Sequence, residues 1–154
     1  MLDPIVKSIE VGCSQEKAFR VFLDEMYTWW PVDRFSVSVM GGGATKEVRV
    51  DARAGGKIIE IGPDGAEHQW GEIKTYDPYD AFSMDFNIAP PGYPTDEMSQ
   101  VEVRFEALGP DRTRVELTQT GWENFGDKAD DVRGGYVVGW GMIFEQAYKA
   151  ACEG

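Results

Sequence analysis

At 154 residues, with 42% hydrophobic and 27% charged side chains, the chain has the make-up of one globular domain able to bury a real core. Its formal net charge of -12 repels phosphate backbones and argues against nucleic acid as a partner. The longest apolar stretch, Tyr136 to Phe144, is far too short to span a bilayer, and Met1-Leu2-Asp3-Pro4 lacks the basic and apolar regions of a secretory signal, so the expected address is the cytoplasm.

Ile5 to Val11 reads as a first strand, with Ile5, Ile9 and Val11 on one face by period two. Ser14 offers an N-cap and Glu16 a carboxylate in the first helical turn, where the dipole favours it. Ala18, Phe19, Val21, Phe22 and Met26 then recur at amphipathic-helix spacing. Trp29-Trp30-Pro31 closes this region, since proline disfavours a helical residue before it, and a short second helix falls around the two tryptophans. Gly41-Gly42-Gly43-Ala44-Thr45-Lys46 fits no phosphate-binding spacing and is expected to be a flexible loop.

From Thr45 onward, strands alternate with turns. Val48 and Val50 belong to one strand, and Gly55-Gly56 leads into Lys57 to Ile61. Pro63-Asp64-Gly65 is a hairpin turn before Glu67 to Thr75, and Asp77-Pro78-Tyr79-Asp80 is the next turn. Ala81 to Asn87 places Phe82, Met84 and Phe86 on one face and Ser83, Asp85 and Asn87 on the other. A longer loop, Ile88 to Glu97, carries Tyr93 at its tip and is a candidate lid. Val101, Val103 and Phe105 mark the sixth strand, and Thr113 to Thr120 the seventh after Gly109-Pro110-Asp111. Seven strands with short connections predict an antiparallel meander, one face packed and the other solvated.

The last segment, Asp130 to Ala151, reads as a long helix with a bulky apolar face, yet Gly134, Gly135, Gly139 and Gly141 interrupt it. Each glycine costs about 1 kcal/mol against alanine in a helix interior, so they imply close approach or space left beside the backbone. Either Gly134 and Gly135 precede the helix, which then starts at Tyr136, or they lie within it. Asp127, Asp130 and Asp131 miss the calcium-loop pattern and favour the helix start through its dipole. The order is strand, two helices, six strands, helix: an α+β chain over residues 1–154, with no internal repeat or linker.

Three stretches in this order resemble a known family. Ile5-Val6-Lys7-Ser8-Ile9-Glu10-Val11 with Ser14 to Phe19, Trp70 to Met84 around Asp77-Pro78-Tyr79-Asp80, and Gly139-Trp140 with Phe144 and Tyr148 resemble the START/Bet v 1-like (SRPBCC) superfamily. Within it, the chain is most similar to the branch named for the activator of the Hsp90 ATPase. The resemblance implies a helix-grip fold: a curved seven-stranded antiparallel sheet around a long C-terminal helix, with two short helices between strands 1 and 2. It also implies a cavity for a small hydrophobic or aromatic ligand, cyclase, aromatase or hydrolase activity as the alternative, and a chaperone contact of the Hsp90 type as a third reading.

In that fold Trp70, Phe82, Met84 and Phe86 would form the sheet wall of the cavity, with Trp30 beside them, and Tyr136, Trp140 and Phe144 the helix wall. Aromatics ordinarily fill cores, so the expectation rests on the curvature of the sheet and the helix glycines. His68 is the only histidine. If Trp70 points inward, period two sets His68 and Glu72 on the same face, where the pair is a candidate acid and base or a polar anchor. One histidine and two distant cysteines, Cys13 and Cys152, make no metal site, and no cofactor is expected. The cysteines are expected as reduced, partly buried thiols, with a bridge requiring the chain ends to meet. Sheet edges leave a homodimer open.

Overall fold

The computed structural model describes residues 2–90 and 93–154. Seven strands form one antiparallel sheet in the order β1-β7-β6-β5-β4-β3-β2. They are β1 (Ile5–Val11), β2 (Glu47–Val50), β3 (Lys57–Ile61), β4 (Glu67–Asp77), β5 (Ala81–Phe86), β6 (Ser99–Gly109) and β7 (Arg112–Thr120). Between β1 and β2 lie α1 (Gln15–Leu23), α2 (Met26–Trp29) and α3 (Val37–Met40). The first two are the expected helices. The third is one extra turn, capped by the Ser36 hydroxyl on the Val39 N–H.

After β7 the chain turns through a short 3₁₀ stretch (Trp122–Lys128) and enters α4 (Ala129–Met142). A π-helical stretch (Ile143–Tyr148) and α5 (Lys149–Glu153) continue it to the end. Gly134 and Gly135 therefore lie inside the helix and do not precede it. The helix starts earlier than Tyr136 because Gly126, at φ 55°, already supplies the break within the 3₁₀ stretch.

The alternation expected of the strands produces the packing. Phe82, Met84 and Phe86 on β5 are buried, as are Val101, Val103 and Phe105 on β6 and Val115 and Leu117 on β7. Helix α1 lays Phe19 and Phe22 on this face: Phe22 meets Phe82 at 5.2 Å and Phe19 meets Phe105 at 5.1 Å between ring centroids. Its start is fixed as the sequence suggests, by the Ser14 hydroxyl accepting from the Lys17 N–H at 3.2 Å. The last helix is held by polar bonds at both ends of its buried face. Trp140 Nε1 donates to Gln119 Oε1 on β7 at 2.8 Å, and the Tyr148 hydroxyl donates to the Ala18 carbonyl at 2.6 Å. Cys13 and Cys152 are both buried free thiols, unbridged.

One irregularity changes a face assignment. Ile59 pairs with Gln69 but Ile58 pairs with Gly71, leaving Trp70 as an extra residue in a bulge. A Cβ at Gly71 would overlap the Asp85 carbonyl, so the position requires glycine. The bulge shifts the phase of β4: Trp70, Gly71 and Ile73 are all buried. Glu72 turns to the outer face and pairs with Lys74 at 3.4 Å, so it does not share a face with Trp70 as strict alternation implies.

Candidate functional site

The aromatic residues expected to line a cavity form a nearly continuous cluster, and most of them fill the interior. Trp30 contacts Trp70 at 5.1 Å and Trp140 at 6.0 Å, while Phe86 contacts Trp140 at 6.1 Å. Phe144 stacks on Tyr148 at 5.6 Å, and Phe82 packs against α1. Trp70, Phe82, Phe86, Trp140 and Phe144 expose none of their surface, and Met84 and Trp30 scarcely any. The space beneath the middle of the sheet is thus occupied by side chains.

The open space lies at one end of this cluster. A cavity of about 310 Å³ sits between the first turns of α4, the segment before α3, and the loop between β5 and β6. From α4 come Val132, Gly135, Tyr136 and Gly139, with Ile143 beyond it. The segment before α3 supplies Phe35, and the β5–β6 loop supplies Ile88, Pro90, Tyr93 and Pro94. That loop was the candidate lid; its Pro91 and Gly92 lie outside the described residues. Of the eight expected ligand-binding residues, Tyr136 lines the cavity directly. Trp140 and Phe86 back it, with ring centroids 5.9 and 6.1 Å from the Tyr136 ring. Trp30 acts on the opposite wall, its indole N–H donating to the Phe35 carbonyl at 2.9 Å.

The helix glycines belong to this wall. Gly135 and Gly139 both line the cavity. A Cβ at Gly135 would meet nothing within 4 Å, and one at Gly139 would make only ordinary contact with Ile143 and Phe35 at 3.7 Å. No close backbone approach requires them. What they do is keep the helix surface low beside the void.

Asn87 and Tyr136 supply the polar groups inside the cavity. The Tyr136 hydroxyl donates to Asn87 Oδ1 and accepts from the Ile88 N–H, both at 2.9 Å. Burial pushes the Tyr136 hydroxyl well above its ordinary pKa, outweighing the Ile88 N–H, so it stays protonated at neutral pH. Alternation along β5 sets Asn87 on the outer face, but the strand ends at Phe86 and Asn87 turns inward, 6% exposed. The missed signal was the Asn-Ile-Ala-Pro-Pro sequence, whose prolines cut the period short at Asn87. Charge is confined to the rim, where Arg34 and Lys128 face the same opening as Glu97 and Asp131. Lys128 Nζ lies 4.6 Å from the Tyr93 ring centroid and ties the loop to the helix start.

His68 and Glu72 are elsewhere. His68 is half-buried opposite Glu60 on the β3–β4 pair, Glu72 is on the outer face, and neither lines the cavity. Glu60 itself, which sequence reasoning passed over, is fully buried. It accepts from the Val37 and Ser38 N–H groups at 2.8 Å, from Trp70 Nε1 at 2.9 Å, and from the Ser38 hydroxyl. Burial alone raises its pKa, but the hydrogen bonds from Ser38, Val37 and Trp70 outweigh it and hold the carboxyl below the ordinary range. Its role is to pin α3, and with it the cavity edge near Met40, to the sheet. Period two from Ile58 would have set Glu60 on the buried face. Among the described residues, no cluster of His, Cys, Asp and Glu is placed to hold a metal ion. No helix among them is long and apolar enough to cross a membrane.

Among solved structures, the chain is similar to an anthrahydroquino-gamma-pyrone synthase, Txn09, at 28% identity and TM-score 0.60 over 86% of this chain and 85% of that one. It is similar to CalC, a self-sacrificing resistance protein from Micromonospora echinospora, at 25% identity and TM-score 0.70 over 97% and 93%. An Hsp90 activator from Plasmodium falciparum shares the fold at 18% identity and TM-score 0.61 over 92% and 90%. No curated protein matches the chain. The family model described as activator of Hsp90 ATPase homolog 1-like protein matches residues 13–150, and the chain belongs to that family.

Proposed function

We propose that this protein, acting as a single START/Bet v 1-like domain, binds a small hydrophobic or aromatic molecule in the cavity between α4 and the β5–β6 loop. The observation that carries the reading is the cavity itself. At about 310 Å³ it reaches the size of ordinary ligand sites, and its wall is apolar and aromatic with few polar groups. Tyr136 makes the direct contact, and Phe86, Trp140 and Trp30 hold the rings and backbone that shape the site. Trp70, Phe82, Met84 and Phe144 act one layer behind, as the rigid floor.

The solved relatives support a small-molecule reading, since one is named as an anthrahydroquino-gamma-pyrone synthase and the match covers 86% of this chain. Catalysis gains less support, because the cavity interior holds a neutral tyrosine and an asparagine and no titrating acid–base pair. The likeness to the Hsp90 activator carries the fold and no partner.

The test is native mass spectrometry of protein purified without denaturation, together with a thermal-shift screen of aromatic and lipid compounds. A bound mass or a stabilising compound, lost when Gly135→Trp fills the cavity, is expected. No bound mass and no shift across the library would remove the reading.

A further inference from the structure

Among the described residues, Asn87 brings an unspent donor to the cavity wall. Its Oδ1 accepts from the Tyr136 hydroxyl, which in turn accepts from the Ile88 N–H. Its Nδ2 donates to no group among the described residues, although the side chain is only 6% exposed. Among those residues the one fully enclosed side-chain nitrogen or oxygen without a partner is Trp122 Nε1. Asn87 Nδ2 therefore keeps some accessible surface, and Asn87 lines the cavity. A nearly buried amide donor whose remaining surface opens on the cavity is placed to bond a ligand acceptor there.

The surrounding wall narrows the shape of that ligand. Tyr136, Phe35 and Phe125 present rings to the void, and Gly135 and Gly139 leave the helix side flat between them. Flat aromatic surfaces stack on such walls more favourably than branched aliphatic ones. Resting on the ligand-binding reading above, we propose that the ligand is a planar aromatic carbonyl compound whose ketone or quinone oxygen accepts a hydrogen bond from Asn87 Nδ2. Tyr136 positions the amide and does not itself meet the oxygen, since its single proton is committed to Asn87.

Two probes with the same skeleton and charge separate this contact from general apolar binding: anthraquinone-2-carboxylate and anthracene-2-carboxylate. Both are titrated against the full chain by tryptophan fluorescence. The wild-type protein is expected to prefer the quinone, and Asn87→Leu and Asn87→Asp to reduce that preference about three- to tenfold, the worth of one neutral hydrogen bond. Thermal melts establish that each variant is folded. Should neither fold, the infrared carbonyl stretch of the quinone bound to wild type decides, with a shift to lower frequency expected on hydrogen bonding. Binding of both probes with an unchanged preference in the folded variants, or an unshifted carbonyl stretch, overturns the inference and leaves the cavity reading standing. Binding of neither probe to wild type overturns the inference, and the cavity reading falls with it only when the compound library also gives no shift.

Discussion

Replacing the two cavity-wall glycines by alanine should make the protein more stable and a poorer binder at once. Glycine inside a helix costs about 0.8–1.0 kcal/mol relative to alanine. Gly135→Ala meets open space, and the new methyl at Gly139→Ala would sit 3.7 Å from Ile143 and Phe35, an ordinary contact that needs no repacking. The pair should therefore gain about 2 kcal/mol if the sites add, or roughly 4–8 °C in Tm for a chain of this size. Thermal and urea unfolding measure it, with the urea midpoint rising at unchanged m-value. Both methyls project toward the cavity, so affinity for whatever compound the thermal-shift screen identifies should fall. A lower Tm for Gly135→Ala would refute the claim that no contact demands glycine there. A stabilised double variant that binds as well as wild type would refute the claim that these glycines leave room for a ligand.

Glu60→Gln should destabilise the fold by about 2–4 kcal/mol in urea, since charge-assisted bonds to Val37, Ser38 and Trp70 are lost together. Because the folded pKa of Glu60 is depressed, its contribution is fully present above the unfolded glutamate value of about 4.3 and is lost as pH falls through the lower folded value. The stability difference between wild type and Glu60→Gln should accordingly shrink on acidification below about pH 4; a difference that stays constant counts against the assignment. Trp140→Phe leaves Gln119 Oε1 buried without its donor and should cost at least about 1–3 kcal/mol, read from the urea midpoint. Burial pushes the Cys152 thiol up to about 12, so iodoacetamide at pH 8 should not label it until the chain is unfolded. Rapid labelling of the native protein, read by peptide mass mapping, would contradict that burial.

Much of the architecture was legible because local physics and packing agree along most of this chain. The clean alternation in Ala81 to Phe86, the Ser14 cap and the turn at Asp77-Pro78-Tyr79-Asp80 each follow from short-range rules, and each element forms where expected. Alternation fails where a single residue breaks it. The extra Trp70 in the bulge turns Glu72 outward, and the end of β5 turns Asn87 inward. A one-residue slip reverses every later side chain, so no local pattern carries the correct face past such a point.

Hydrophobic periodicity alone also marked the aromatic residues as inward-facing, and the burial of Trp70, Phe82, Phe86, Trp140 and Phe144 follows from it. Whether inward means packed or open is a different question. It depends on how Trp30, Trp70, Phe86 and Trp140 fill the volume between sheet and helix, and on which glycines leave the wall low. That volume is set by residues from four separate segments meeting in three dimensions. Periodicity along the chain determines which way each side chain points, whereas only the tertiary structure decides that the void lies beside Tyr136, Gly135 and Asn87.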